Sequence, residues 1–153
     1  MTRAVPPQAL ALVKQFEGFR STRYPDPVGL PTIGYGHRLS GPYDPLWNAT
    51  ISQATADELA DQDLEATAEQ LTEILGEPIV DGLTDGQWAA ILDFSYNLGC
   101  GRFASSTLCS DIKSGNLSDA AKQFGRWIYG GQPPKVLPGL VTRRTAETEC
   151  WNT

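Results

Sequence analysis

One block of turn formers constrains this chain more than any other feature. Pro25, Pro27, Gly29, Pro31, Gly34, Gly36 and Gly41 crowd the stretch between positions 25 and 41, and no helix passes through such a run. Helical patterning lies on both sides of it. Before it, Ala9, Leu12, Val13 and Phe16 recur at i, i+3, i+4 and i+7 and make one apolar stripe. Pro6 or Pro7 suits the first turn of that helix, and Gly18 can end it in the left-handed conformation. Inside the block, Thr32-Ile33-Gly34-Tyr35-Gly36 reads as a short strand within a hairpin or a three-stranded sheet, and 42–48 reads as loop. After it, Thr50 or Ser52 can cap a long helix running from about Ser52 to Leu75, with Ile51, Leu59, Leu64, Leu71, Ile74 and Leu75 as its apolar positions.

The rest of the chain predicts short helices. Thr84 starts one that carries Trp88, Ile91, Leu92 and Tyr96 and ends near Gly99. Ser105 or Ser106 starts another, through Leu108 and Ile112 to Gly115. Ser118 starts a third, through Ala121, Phe124 and Trp127 to about Gly130, and a last helix covers Val141 to Trp151. The order is a helix, a small β lobe, a long helix and a helical lobe. Two lobes joined by a helix leave a cleft between them.

Charge narrows the partners. The net charge is −6, yet the first 38 residues and the stretch from Arg102 to Thr153 are each basic, and the acidic excess lies wholly between Leu39 and Gly101. A nucleic-acid partner, which needs a continuous basic surface, is not expected. The two basic ends could still border a site for an anionic polymer. No apolar run reaches the length of a membrane span, and the N-terminal stretch, with its two prolines and Lys14, lacks a signal-peptide layout. Cys100, Cys109 and Cys150 together with the single His37 do not make a metal-ligand spacing, so a metal is not expected, and nothing else in the sequence suggests a cofactor. Spacing leaves a Cys100–Cys109 bridge open.

Three residues suggest chemistry. Glu17 sits at the end of the first helix, where the dipole disfavours a carboxylate, and Phe16 and Phe19 beside it add desolvation. Those are the conditions a general acid needs. Asp26 is held in a stiff turn between two prolines, and the Thr32 hydroxyl can bind water. Two carboxyls and a hydroxyl near a cleft suggest glycoside hydrolysis, although acidic residues near turns are commonly no more than surface residues.

The spacing Glu17, Asp26, Thr32, followed by Ile33-Gly34-Tyr35-Gly36-His37, resembles the catalytic pattern of the phage-type lysozymes, the T-even-like endolysins. Gln62-Asp63-Leu64, Asp93 to Gly99, Phe103 to Leu108 and Gly139 to Glu147 resemble that family's segments in the same order, so the likeness runs from about Pro7 to Trp151. The Asp26 to Thr32 stretch and Asn97-Leu98-Gly99-Cys100-Gly101 look closest to a branch with fungal secreted members. The resemblance implies an α+β, lysozyme-like fold: one catalytic domain over residues 1–153, with a β lobe at about 19–48, an inter-lobe helix at 52–75, and a helical lobe at 79–153 beside helix 7–17. It implies an inverting N-acetylmuramidase that cuts the β-1,4 bond between N-acetylmuramic acid and N-acetylglucosamine. Glu17 would be the acid, and Asp26 and Thr32 would hold the attacking water. Arg38, Tyr96 and Ser106 match positions that touch sugar, Tyr96 being equally readable as core. His37 would pair structurally with Asp63, and Arg143 and Arg144 would steer the glycan or pair with Glu17. The expected partner is bacterial peptidoglycan, met as a monomer, outside the cytoplasm and without membrane insertion. A lytic transglycosylase or chitinase-like enzyme on the same fold, and a non-catalytic glycan-binding module, are the rival readings.

Overall fold

The computed structural model describes residues 2–153; Met1, the first residue of the expected domain, lies outside them. Helix α1 (Pro7–Glu17) starts at a proline and stops at Gly18, whose positive φ of 71° breaks the helix, as the sequence predicts. The turn-rich block becomes a three-stranded antiparallel sheet in the order β1 (Arg20–Pro25), β2 (Pro31–Gly34) and β3 (His37–Arg38). Its register sets Thr32 opposite Tyr24 on one side and Arg38 on the other, so these three share one face. Ile33, pointing the other way, is fully buried.

Helix α2 (Gln53–Leu75) is capped by the Ser52 hydroxyl, which accepts from the Thr55 N–H at 3.1 Å. Its buried stripe differs from the one expected: it is Ala56, Ala60, Leu64, Ala68, Leu71 and Leu75, while Leu59 and Ile74 are only half-buried. Alanines on this face let the sheet approach the helix backbone. Gly34 completes that contact, since at φ 67° a Cβ there would lie 3.3 Å from the Ala56 Cβ.

The helical lobe is built around α4 (Asp85–Leu98), which α1, α2 and α8 (Pro138–Trp151) surround. A capping box of Thr84 and Gln87 fixes its start. Every residue from Trp88 to Ser95 is buried, including Asp93 at 0% exposure. Two short helices that the glycines and prolines obscure in the sequence, α3 (Glu77–Gly82) and α5 (Cys100–Ala104), join the expected α6 (Thr107–Lys113). The helix expected to reach Gly130 is shorter. It is α7 (Leu117–Gln123), followed by a 3-10 turn at Phe124–Arg126. Trp127 then leaves helical geometry and sets its ring edge-on to Phe94, with centroids 5.6 Å apart. The half-buried indole packs on Phe94 at the point where the helix ends. A small hairpin of β4 (Tyr129–Gly130) and β5 (Lys135–Val136) follows. All three cysteines are free thiols. Among the described residues, no helix is long and apolar enough to cross a membrane.

Candidate active site

A cleft of about 380 Å³ opens between the sheet and the helical lobe, lined by Glu17, Tyr24, Asp26, Thr32, Gly36, Arg38, Tyr96 and Asn97 along with Pro27. The three residues singled out by spacing thus meet in one cavity, with Arg38 and Tyr96. A larger groove of about 750 Å³ on the outer side of α1 holds Lys14 and Asp61 but none of these groups.

Glu17 ends α1 with its side chain 21% exposed. Its surroundings are more polar than the flanking phenylalanines suggest. Arg143 Nη1 donates to Glu17 Oε1 at 2.8 Å, and the Phe16 ring lies 5.6 Å from the same guanidinium. The other oxygen, Oε2, lies over Gly36. A Cβ on Gly36 would come within 3.1 Å of it, so the glycine leaves room for the carboxyl group. The pairing anticipated for Arg143 is therefore present. Its Nε and Nη2 also grip both oxygens of the fully buried Asp93, at 2.9 and 2.7 Å.

Asp26 sits in the turn after β1. Its Oδ1 accepts from the Val28 and Leu30 N–H groups at 2.9 and 2.8 Å, which locks the carboxylate as the prolines on either side suggest. Its Oδ2 carries no such bond and lies 3.6 Å from Arg38 Nη2. Thr32 is 3% exposed, and its hydroxyl donates to the Leu30 carbonyl at 2.8 Å. That hydroxyl therefore offers only lone pairs to the cleft.

Tyr96 spends its hydroxyl proton on the Tyr35 carbonyl at 2.6 Å, tying α4 to the sheet, and burial pushes its phenol well above the usual range. Its ring still lines the cleft. Ser106 does not join the cleft. It is 7% exposed, and its hydroxyl donates to the Phe103 carbonyl and accepts from the Cys109 N–H as the cap of α6. That capping role accounts for a serine there. His37 Nδ1 lies 2.8 Å from Asp63 Oδ2 across the junction of sheet and α2. The hydrogen bond to Asp63 raises the imidazole above its ordinary pKa, against the opposing effect of burial.

Arg144 is also buried, so neither of the paired arginines is free to steer a polymer. Its Nη2 donates to Asn97 Oδ1 at 2.6 Å, and its Nε lies 3.0 Å from Glu147 Oε2. Burial, and the neighbouring Asp93 carboxylate, push the Glu147 carboxyl well above the usual range. Asn97 escaped the sequence reasoning. The signal was present, because Asp93 and Asn97 stand at i and i+4 on one face of α4, opposite the adjacent Arg143 and Arg144. No group of side chains suited to a metal occurs among the described residues.

The family model described as "Phage lysozyme" matches residues 14–147. An endolysin of Acyrthosiphon pisum secondary endosymbiont phage 1 is 33% identical over 144 residues, covering 92% of each chain. Among solved structures, the muramidase domain of SpmX from Asticaccaulis excentricus superposes with a TM-score of 0.85 at 28% identity, covering 99% of both chains. A mutant P22 lysozyme superposes at 0.82 with 26% identity, again over 99% of both. The chain belongs to the phage lysozyme family.

Proposed function

We propose that this lysozyme, a peptidoglycan hydrolase, is an inverting N-acetylmuramidase with Glu17 as general acid and with Asp26 and Thr32 holding the attacking water. A guanidinium only donates, so Oε1 of Glu17, facing Arg143, must remain an acceptor. The proton of the acid form then sits on Oε2, the oxygen over Gly36 at the cleft. From there it passes to the glycosidic oxygen as the bond to N-acetylmuramic acid breaks.

The observation that carries the reading is the state of Thr32. Its proton is committed to the Leu30 carbonyl, and Asp26 Oδ1 is committed to two backbone N–H groups. A water between Thr32 and Asp26 Oδ2 therefore meets two acceptors and must donate both its protons. Its own lone pair is left to face the anomeric carbon. Asp26 takes a proton as that water attacks from the face away from Glu17, and the product configuration inverts. Arg38, 63% exposed, and Tyr96 border the sugar-binding cleft, while the Ser106 hydroxyl is spent on capping α6. The substrate is bacterial peptidoglycan, met outside the cytoplasm by a monomer.

Mass spectrometry of digested peptidoglycan tests this reading. Hydrolysis leaves reducing N-acetylmuramic acid ends. Ends in the 1,6-anhydro form would mean that no water attacks and would assign the chain to transglycosylation instead. Binding without any cleavage would assign it to the glycan-binding modules.

A further inference from the structure

The amide of Asn97 has a fixed orientation, and that orientation has a chemical meaning. Arg144 has no acceptor, so the Asn97 atom 2.6 Å from its Nη2 must be the carbonyl oxygen. Arg144 is itself 1% exposed, lies against the Phe94 ring and stands 3.0 Å from Glu147 Oε2, so packing confines it. With Oδ1 turned to the buried Arg144, the Nδ2 end of Asn97 is the part of the amide left for the cleft, and it only donates. Among its neighbours in the cleft, Glu17 Oε1 and Asp26 Oδ1 are already engaged, the Tyr96 and Thr32 hydroxyls have committed their protons and keep only lone pairs, and Arg38 is a charged donor, so Asn97 supplies a neutral one. The consecutive arginines of α8 thus fix two groups of one cleft, Arg143 the carboxyl of Glu17 and Arg144 the amide of Asn97.

We infer that Asn97 is a specificity-determining residue that donates a hydrogen bond to the acetamido carbonyl of a sugar bound next to the scissile bond. The inference rests on the hydrolase reading above. A group that only donates selects a group that only accepts. Sugar hydroxyls do both, and they can turn to suit whatever they meet. The strongest neutral acceptor on an N-acetylated glycan is the amide oxygen, and an amide-to-amide hydrogen bond suits a neutral donor. A glycan whose amino groups carry no acetyl lacks that acceptor and leaves the Asn97 N–H groups unpaired.

The test compares one wall preparation in two forms: de-N-acetylated, and the same material re-acetylated with acetic anhydride. Each enzyme's kcat/KM is measured on both, and the ratio is read, which cancels any difference in folded fraction. The wild-type ratio should favour the acetylated form by roughly tenfold to a hundredfold. N97D keeps an oxygen for Arg144 and replaces the donor with an acceptor. N97A removes the donor without adding charge. Both should bring the ratio to within about threefold of unity, chiefly through loss on the acetylated form. A wild-type ratio near one overturns the inference, as do variants that lose activity equally on both forms, the pattern of a structural role or of contact with the lactyl carboxylate. A shift in N97D alone would report charge attraction to the free amines and would also overturn it. Product analysis of the wild type is the separate control: absence of hydrolysis defeats the underlying reading, whereas hydrolysis with an unchanged ratio defeats this inference alone.

Discussion

Replacing Arg143 with methionine separates two jobs that its guanidinium performs. The side chain is 5% exposed and grips the fully buried Asp93 with two hydrogen bonds, while its third contact holds Glu17. Methionine fills much of the volume but strands the Asp93 carboxylate in the interior. Breaking a buried pair from one side costs about 3–5 kcal/mol. In a domain of this size each kcal/mol moves the thermal midpoint by about 2–4 °C, so R143M should melt roughly 6–20 °C lower. Adding D93N replaces the stranded charge with an amide and should recover roughly 2 kcal/mol. Activity should not follow stability. Glu17 has lost the anchor on Oε1 in both variants, and a loosely held acid costs on the order of a hundredfold in rate. Circular-dichroism melts run beside cell-wall clearing read both quantities. Equal midpoints for R143M and R143M/D93N would refute the stranded charge, and recovery of lysis by the double variant would refute the anchoring of Glu17.

Further outcomes follow from the same geometry. E17Q should lose roughly 10²–10⁴-fold in wall clearing with an unchanged melting point, because the amide has no acidic proton to give, and D26N should lose a similar factor. T32V should lower kcat about tenfold or more with little change in KM, since the valine offers the water no lone pair; steady-state kinetics on soluble glycan fragments would show this. His37 has a raised pKa when folded, so its bond to Asp63 stabilises fully below the unfolded value near 6.5 and the contribution fades as pH rises through the folded value. The pair is partly exposed, so the gap between wild type and D63N should be about 1 kcal/mol at low pH and narrow on the alkaline side, as melts across that window would record.

Much of the fold and of the site is legible in the sequence. Glycines and prolines punctuate the chain so densely that α1, the sheet and α2 emerge from their positions alone. Glu17, Asp26 and Thr32 lie close together in sequence on consecutive small elements, so their spacing already contained their meeting. What was hidden depends on contacts between distant segments. Ser106 carries the right residue type for sugar, but only the fold reveals that α6 needs it as a cap. Trp127 continues a helical pattern until Phe94 claims its ring. Alanines on α2 carry little periodic signal, yet they set how near the sheet lies to the helix. In the sequence Arg143 and Arg144 suggest charges free to steer a glycan or to pair with Glu17. They are instead buried because Asp93, Glu147 and Asn97 meet them from inside.

Whether a water held by Asp26 and Thr32 attacks opposite Glu17 can be read from the anomeric configuration of the first product. Proton NMR of a soluble glycan fragment, followed in the first minutes before mutarotation, distinguishes the two anomers at the new reducing end. The α-anomer of N-acetylmuramic acid should form first and relax to the equilibrium mixture. Initial release of the β-anomer would mean retention through a covalent or equivalent intermediate, and would contradict the roles assigned to Asp26 and Thr32.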